Sequence, residues 1–273
     1  MQNNKLYILL SRNKYGLNGV ARKNKVNLEW WKKETNLGDA ISPIIVAWML
    51  RRENINIDKN ISKTIHLLGV GSLIGNERFD ATVWGSGILS YDRTLVVDRQ
   101  RKYRKYDVRA VRGPLTKLIL EYDGYQCPDV IGDPAILMPL IYMPKDTEKK
   151  YGRSFIFHHS VEPSDLQLWH IINIKTNDYK FFLDDLVASE VVISSSLHGI
   201  ILAESYGVPT IWLSEGVDRQ FFKFYDWYYS TGRYSVKMAR TFDEALAMEP
   251  MPLPELNKMR DGLMAAFPYD LWE

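Results

Sequence analysis

Short apolar runs that end in polar or glycine-rich turns recur along this chain, and helical patterns separate several of them. The clearest unit begins with an apolar run at 191–193, passes through three serines, and continues as a helical pattern that Gly207 ends. Residues 210–213 then have the pattern of another strand. Strand, polar turn, helix and strand in this order predict a βαβ unit. Helix N-termini attract anions, so we expect an anion site at the serine turn, beside His198.

The first half of the chain shows a similar alternation. The pattern predicts strands at 5–10, 64–72, 82–87 and 108–111, and helices at 44–51 and 115–120. Ser42 followed by Pro43 is typical of an N-cap with proline at the first helical position. This assignment leaves Asn36, Gly38 and Asp39 in a loop between a strand and a helix, where α/β proteins place ligand contacts.

Residues 143–150 are the best candidate for a linker, because the segment is highly charged and contains a proline. The alternation then restarts with predicted strands at 155–159 and 171–174, and the tail reads as helical from about residue 242. Such alternation is typical of parallel, doubly wound sheets. We therefore predict an α/β protein with two Rossmann-like lobes, 1–143 and 151–273, and a cleft between them.

Composition limits the classes of function only broadly. The 273 residues include 46% hydrophobic and 25% charged positions, with a net charge of +2, so no global field favours nucleic acid or membrane. Cys127 is the only cysteine, which excludes an internal disulfide framework and suits a reducing cytoplasm. No apolar run reaches the roughly 18 residues of a membrane span, and residues 6–10 are too short for a signal sequence.

Several common catalytic motifs are missing or incomplete. Gly69 and Gly71 resemble the start of a dinucleotide fingerprint, but the third small residue is replaced by Ile74. We interpret the pair as a tight turn after a strand. The sequence also lacks the P-loop pattern, the HExxH zinc motif and the GxSxG nucleophile elbow.

Among the histidines, His198 is a strong candidate for a functional residue, and the pair His158 and His159 is a weaker one. His198 is placed at the end of a strand and in the first turn of a helix, which favours a functional over a structural role. A Ser–His nucleophilic pair with the preceding serines stays open. His158 and His159 are neighbours in a predicted strand, so we expect their side chains on opposite faces, and we expect no metal site from them.

Cationic residues offer several ways to hold an anion. Arg109 and Arg112 are predicted at a strand end that faces the cleft, and arginine suits bidentate recognition of phosphate or carboxylate. The alternative for Arg112 is an ion pair with Asp133 or another carboxylate. Residues 219–228 mix cations with aromatic rings, as in a helix packed on the core or one that supplies Arg219 or Lys223 to a ligand. The basic run at 99–106 is interpreted as solvated surface rather than a site for nucleic acid or lipid diphosphate.

Motifs along the chain occur in the order found in one known family. They are Asn36-Leu37-Gly38-Asp39, Trp84-Gly85-Ser86-Gly87, Val111-Arg112-Gly113-Pro114, Gly132-Asp133-Pro134-Ala135, Ser194-Ser195-Ser196-Leu197-His198-Gly199, Lys223-Phe224-Tyr225-Asp226-Trp227 and Ala265-Ala266-Phe267-Pro268. Each motif alone is loose, but their joint order resembles the polysaccharide pyruvyl transferases over residues of about 36 to 272.

The resemblance implies a two-lobed fold like that of GT-B glycosyltransferases. It also implies phosphoenolpyruvate as the donor substrate and a pair of sugar hydroxyls as the acceptor. The product is a cyclic pyruvate ketal on a capsule, exopolysaccharide or cell-wall glycan. No cofactor or metal is expected. The resemblance further implies a cytoplasmic protein, soluble or peripheral, that works at the inner face of the membrane on a lipid-linked glycan.

The same resemblance implies roles for individual residues. His198 is expected to be the general acid or a phosphate contact, and Asp39 is a candidate base. Some relatives carry arginine where this chain has Ser196, so a replacement cation is sought among Arg112, Arg219, Lys223 and Arg233. The expected donor contacts are Arg112, Ser195, Ser196, Gly199, Arg219, Lys223 and Arg233. The expected acceptor contacts are Asn36, Gly38 and Trp84.

Two alternatives of a different class remain open. One is a nucleotide-sugar glycosyltransferase with GT-B architecture, for which the predicted two-lobed fold is equally suitable. The other is a non-catalytic glycan-binding protein, supported only by the 8 Trp and 16 Tyr of the chain. The oligomeric state, the acceptor sugar and the ketal stereochemistry do not follow from the sequence.

Overall fold

A computed structural model describes residues 21–75, 79–90, 104–160, 169–214 and 220–273. The strand predicted at 5–10, most of the basic run at 99–106 and Arg219 lie outside these residues. The described chain is a mixed α/β protein with two parallel four-stranded sheets. The parallel sheets agree with the predicted α/β class, whereas the strand at Val26–Glu29 was not predicted.

The first sheet has the order β1-β2-β3-β4 and the second the order β6-β5-β7-β8. The strands are β1 Val26–Glu29, β2 Ile65–Leu68, β3 Ala81–Trp84, β4 Tyr106–Ala110, β5 Tyr151–Ile156, β6 His170–Ile171, β7 Ser189–Ser194 and β8 Thr210–Trp212. All residues of β1, β3 and β8 are buried, as expected for parallel strands covered on both faces.

Nine α-helices occur in the described residues: α1 Leu37–Ala40, α2 Ser42–Arg52, α3 Pro114–Tyr122, α4 Met138–Ile141, α5 Tyr179–Val187, α6 Leu197–Ser205, α7 Phe221–Ser230, α8 Phe242–Ala247 and α9 Asn257–Ala265. A 3₁₀ turn at Pro134–Leu137 precedes α4, and a second at Tyr269–Trp272 ends the chain. Every residue of α6 is buried: most are apolar, and the buried carboxylate of Glu204 is paired with Arg233. Within the described residues, none of the helices has the length and apolar character needed to cross a bilayer.

The second sheet reverses its winding direction between β5 and β7. From β5 the chain passes to β6 on one side, and it then crosses to β7 and β8 on the other side. Ile156 at the end of β5 lies beside Ser194 at the end of β7. In open α/β sheets, the crevice at such a reversal is where ligands bind. The serine turn and the histidine pair both follow these two strand ends.

The C-terminal segment packs against elements of the first half. The indole of Trp84 donates to the Leu263 carbonyl at 2.9 Å, and the indole of Trp272 donates to the Ile57 carbonyl at 3.2 Å. One hydrophobic cluster also contains residues from both sheets. The irregular segment 143–150 joins α4 to β5, and Lys149 Nζ donates to two carbonyls beside α5. The domain boundary at this segment stays a prediction.

Two local predictions were wrong. Ser42 is not an N-cap, because the extra helix α1 ends directly before α2 and Ser42 is already helical. The capping residue is Asn36, whose side chain accepts from the Gly38 amide. The tail is also two helices rather than one, and residues 248–256 between α8 and α9 are irregular. Three prolines in this stretch explain the break, since proline cannot donate a backbone hydrogen bond.

Candidate functional site

A cavity of about 320 Å³ lies where loops that follow strands of both sheets meet. The first half contributes loops after β1, β2 and β3, and the second half contributes the ends of β5 and β7 and the start of α7. The lining residues are Trp31, Asn36, Asp39, Ser72, Leu73, Leu89, His158, His159, Ser160, Ser196, Leu197, His198, Gln220 and Lys223. The predicted residues Asn36, Asp39, Ser196, His198 and Lys223 therefore share one cavity.

Asn36 and Asp39 form one hydrogen-bonded unit at the start of α1. Asn36 Oδ1 accepts from the Gly38 amide at 3.2 Å, and Asn36 Nδ2 donates to Asp39 Oδ2 at 2.6 Å. Gly38 and Asp39 thus lie in the first turn of a short helix rather than in an open loop. The exchange of hydrogen bonds holds the Asp39 carboxylate at the cavity wall.

Gly38 allows His198 to approach the backbone of α1. A Cβ atom at position 38 would lie 2.2 Å from His198 Nδ1, a distance that no real contact shows. On its other side, the ring faces Asp133, with Nε2 and Oδ2 separated by 3.7 Å. Both atoms are buried and have no hydrogen-bond partner in the described residues. The imidazole is therefore confined between a glycine backbone and a buried carboxylate.

Asp133 is held by its own turn. Its Oδ1 atom accepts from the Ala135 amide at 3.0 Å and caps the 3₁₀ turn that begins at Pro134. The side chain is fully buried. Since one oxygen is used locally and the other faces His198, the residue fits the role of an orienting group for the imidazole.

Burial moves the titration of two cavity groups toward neutral pH. Desolvation raises the pKa of Asp39 to about 6, against the opposing effects of His198, Asn36 and Lys223. Desolvation also lowers the pKa of Lys223 to about 7, with a further lowering by the charge of Arg112. The cavity thus contains a carboxyl group and an amine that both change charge near pH 7, as acid–base chemistry at that pH requires.

The prediction that His158 and His159 lie on opposite faces was wrong. His158 and His159 both line the cavity, with ring centroids 4.1 Å apart, because β5 ends at Ile156 and strand alternation no longer applies to them. Burial and the nearby charge of Lys223 lower the pKa of His158 to about 3, so this ring is neutral. His159 Nε2 lies 2.9 Å from Glu34 Oε2 and so links the loop after β1 to the end of β5.

The serine turn positions α6 rather than offering all its hydroxyls to the cavity. Ser194 Oγ donates to the Ile156 carbonyl at 2.9 Å, and Ser195 Oγ accepts from the His158 amide at 2.8 Å. A Cβ at Gly199 would lie 2.4 Å from Ser194 Oγ, so glycine permits the close packing of helix and strand. Ser196 is the N-cap of α6 and lines the cavity. Ser195 and Gly199 are not among the lining residues.

Arg112 has its partners inside the protein. Its guanidinium is fully buried and contacts Asp226 Oδ2 at 3.1 Å, Ser72 Oγ at 2.7 Å and the Ile88 carbonyl at 2.6 Å. Asp226 also accepts from the amide and hydroxyl of Thr116. The alternative of an ion pair with a carboxylate is the one observed, although the carboxylate is Asp226. Arg112 does not line the cavity, and its influence there is the electrostatic effect on Lys223.

Trp84 and Arg233 also lie away from the cavity lining. Trp84 is fully buried and packs edge-on against Phe267, so its ring is part of the core. Arg233 forms a bidentate ion pair with Glu204 at 2.6 and 2.7 Å. Arg109 is a more exposed residue paired with Asp107 and Asp270. Of the candidates to replace the family arginine at Ser196, Lys223 is the described cation that lines the cavity.

The sequence interpretation missed Asp133, Trp31 and Gln220 as residues at or behind the cavity. The sequence suggested Asp133 as a turn residue and as an alternative partner of Arg112, and its position between glycine and proline carries no sign of a histidine 65 residues away. Trp31 lies two residues after the end of β1, at the edge of the sheet where ligands bind, but the sequence does not distinguish it from Trp30, which is buried in the core. The described residues contain no group of three or more His, Cys, Asp or Glu side chains arranged to hold a metal ion.

Comparison with known proteins agrees with the motif order. The sequence model of the polysaccharide pyruvyl transferases matches residues 35–216. The succinoglycan biosynthesis protein ExoV of Rhizobium meliloti is 30% identical over 138 residues, which are 47% of this chain and 42% of that protein. An uncharacterized protein of Acanthamoeba polyphaga mimivirus is 23% identical over 205 residues, covering 71% of this chain and 69% of that protein.

A solved structure shares the fold. The crystal structure of an uncharacterized protein from Klebsiella pneumoniae matches with a TM-score of 0.50 and 16% identity. The match covers 88% of this chain and 98% of that chain. At this identity the match concerns the fold alone.

Proposed function

The chain belongs to the polysaccharide pyruvyl transferase family, and we propose that it moves the pyruvyl unit of phosphoenolpyruvate onto two hydroxyls of one sugar. The acceptor is a surface polysaccharide or its lipid-linked precursor, and the product is a cyclic pyruvate ketal. The supporting observation is the cavity that combines Lys223, the N-terminus of α6, His198 and Asp39. The name of ExoV, a relative in succinoglycan biosynthesis, agrees with an exopolysaccharide as the acceptor.

Donor binding is assigned to Lys223 and the first turn of α6. Phosphoenolpyruvate carries a phosphate and a carboxylate, so its site needs a cation and N–H donors. Lys223 lines the cavity together with Ser196 and Leu197, which begin α6. Because burial lowers the pKa of Lys223 to about 7, the negative charge of a bound donor favours the protonated form of this lysine.

Proton transfer is assigned to His198 and Asp39. His198 delivers a proton to C3 of the donor, which becomes a methyl group and leaves C2 electrophilic. One sugar hydroxyl forms a bond to C2 and loses its proton to Asp39, and the C2–O bond to phosphate then breaks. The second hydroxyl closes the ketal by bonding to C2 and gives its proton to the deprotonated His198, and the proton held by Asp39 passes to the departing phosphate, which restores both groups. Phosphate leaves with the bridging oxygen, so the reaction consumes one donor for each ketal formed.

Three further assignments complete the proposal. Asp133 orients His198, because its free carboxylate oxygen faces Nε2 of the ring. The loops from the two sheets act as two lobes around a substrate cleft, with the acceptor on the side of Asn36. Work on a lipid-linked glycan places the reaction at the inner face of the membrane.

The direct test follows phosphate release from phosphoenolpyruvate with a panel of glycosyl-lipid acceptors. We expect release that depends on the acceptor and equals the amount of ketal found by mass spectrometry. His198→Ala should lose most turnover without a change in melting temperature. His170→Ala is the matched control, because this histidine pairs with Asp185 and does not line the cavity.

The alternatives give different results in a thermal-shift assay. A nucleotide-sugar glycosyltransferase would be stabilised by UDP- or GDP-sugars and not by phosphoenolpyruvate. A glycan-binding protein would bind finished polysaccharide and neither donor. Stabilisation by phosphoenolpyruvate alone, followed by no release across a broad acceptor panel, would contradict the transfer step.

A further inference from the structure

A second cavity, of about 190 Å³, adjoins the first through two shared lining residues, Trp31 and Asn36. Its wall is the loop after β1 together with Asn177 from the loop before α5. The other lining residues are Trp30, Lys32, Lys33, Glu34, Thr35 and Ala40. It is smaller than the roughly 300 Å³ of a typical small-molecule pocket, so it suits one ring or one head group.

The loop that forms this cavity is anchored at both sides. The Leu37 amide donates to the Ile174 carbonyl at 2.9 Å, close to Asn177 along the chain. Glu34 is engaged by His159 at 2.9 Å. Trp30 is buried in the core, whereas Trp31 is only half-buried and is shared by both cavities. The Trp31 ring therefore lies at the junction of the two spaces.

Among the described lining residues of this cavity, the two lysines outnumber the one carboxylate, Glu34. Lys32 Nζ lies 3.7 Å from the centre of the Trp30 ring, and Lys33 Nζ lies 5.1 Å from the centre of the Trp31 ring. In the described residues neither ammonium has a hydrogen-bond or ion-pair partner, while Glu34 is occupied by His159. Partial burial lowers the pKa of Lys32 against the opposing charge of Glu29, so a further anionic partner would favour the charged form of this lysine.

The remaining lining groups are those that recognise sugars. Asn177 offers an amide that both donates and accepts, Asn36 keeps one N–H beside its bonds to Gly38 and Asp39, and Thr35 offers a hydroxyl. An indole beside such groups provides an apolar face for a sugar ring. The lysines add the capacity to bind a carboxylate or phosphate. Neutral sugar recognition alone would not require two cations in one small space.

We propose that this second cavity is an acceptor subsite that binds an anionic group next to the sugar receiving the pyruvyl unit. This proposal rests on the proposed function. It requires that the sugar receiving the pyruvyl unit lies in the first cavity and that the glycan continues past Trp31 and Asn36 into the second cavity. The anion is an acidic sugar of the glycan or the diphosphate of its lipid carrier. Lys32 and Lys33 supply the charge, and Trp31 packs against the ligand.

Binding is tested by calorimetry on the full chain with three probes. Tetragalacturonate represents an acidic glycan, a neutral galactose tetrasaccharide is its matched control, and inorganic pyrophosphate represents the lipid diphosphate. We expect one anionic probe to bind at least about tenfold more tightly than the neutral one, as expected for a charge-assisted contact. Lys32→Met and Trp31→Ala should each weaken that binding by about tenfold or more.

Control variants separate the subsite from the donor site. Lys63→Met removes an exposed lysine that does not line either cavity and should leave all binding unchanged. Phosphoenolpyruvate binding should be the same in wild type and Lys32→Met, so loss of the subsite is distinguishable from failure of the proposed function. Trp31→Phe replaces Trp31→Ala if the melting temperature shows that the alanine variant does not fold.

The outcomes are decisive for the subsite. A dependence on Lys32 for tetragalacturonate supports an acidic sugar, and the same dependence for pyrophosphate supports the carrier diphosphate. Equal binding of the neutral and acidic tetrasaccharides with no response to pyrophosphate would overturn the anionic assignment. Binding that is unaffected by both variants, or no binding of either anionic probe, would overturn the subsite itself.

Discussion

His198 Nε2 and Asp133 Oδ2 face each other at 3.7 Å, and neither atom has a hydrogen-bond partner in the described part of the chain. Two buried polar atoms left unpaired at this distance are costly unless a small movement joins them. Substrate binding or protonation of the ring supplies a reason for that movement. The pair is therefore an orienting contact poised to form during the reaction.

Replacement of Asp133 by asparagine tests this contact. Asp133→Asn keeps an oxygen that can accept from the Ala135 amide, so the turn should survive. We expect kcat to fall by about 100-fold, with little change in KM for phosphoenolpyruvate, because the ring loses its orienting carboxylate. Asp185→Asn is the matched control, since Asp185 contacts His170 at 3.0 Å outside the cavity lining. Equal kinetics for the two variants would remove Asp133 from the mechanism.

Gly38 makes a second prediction about the same imidazole. A methyl group at this position meets His198 Nδ1 at 2.2 Å, so Gly38→Ala must displace the ring. We expect at least about a 100-fold loss in kcat, as for a misplaced catalytic group. Gly152→Ala is the control, because its added carbon meets nothing closer than Glu190 Oε2 at 3.9 Å. Full activity of Gly38→Ala would contradict the position assigned to His198.

The pH profile of kcat/KM follows from the two shifted groups. Asp39, with a pKa of about 6, must lose its proton to act as a base, so activity rises through that pH. Lys223, with a pKa of about 7, must be protonated to hold the donor, so activity falls above that pH. The expected plot of kcat/KM against pH is a narrow bell. Its two apparent pKa values describe Asp39 and Lys223 as an interacting pair. In steady-state kinetics, the rise of kcat/KM on the acidic side of the profile should be absent in Asp39→Asn. If that rise persists in the variant, it is caused by another group.

Burial of Lys223 also predicts how stability depends on pH. The amine has a pKa of 10.5 when unfolded and about 7 when folded, so between these values the unfolded chain binds more protons. The free energy of unfolding therefore rises with pH across this window. Lys223→Met has no buried amine, so its free energy of unfolding should exceed that of wild type at pH 6. This difference should be smaller at pH 10. Denaturant titrations at both pH values measure the two free energies of unfolding. If their difference is the same at pH 6 and pH 10, the lowered pKa of Lys223 is refuted.

Arg112 and Arg109 form a natural pair for comparison. Arg112→Met leaves Asp226 buried without its cation, which should cost about 3–5 kcal/mol of unfolding free energy. Arg109→Met breaks a more exposed pair and should cost about 1 kcal/mol or less. Urea denaturation gives both values. If Arg112→Met is as stable as Arg109→Met but fails to bind phosphoenolpyruvate, Arg112 is a donor contact and not a structural one.

Local patterns in the sequence predicted much of the architecture. The apolar run, three serines and the helix ended by Gly207 became β7, the Ser196 cap and α6. The motif order pointed to the family that the comparisons show. The strand, the helix and its ends could be predicted because each depends on residues close together in the sequence. Burial of one face gives a regular spacing of apolar residues, and helix ends favour particular capping residues. The Ser42 assignment failed for the same reason, since an equally local signal at Asn36 competed with it.

The sequence by itself determined the alternation of strands and helices, the strand ends that carry polar residues, and the candidates Asp39, His198 and Lys223. Only the tertiary structure decided which of these candidates meet. Arg112 pairs with Asp226, 114 positions away, and His198 meets Gly38 and Asp133 from the other half of the chain. Charge and size make many partners acceptable for a buried arginine or histidine. The choice among these partners depends on how distant segments of the chain pack together. The spacing of apolar and polar residues within one segment carries no information about that packing.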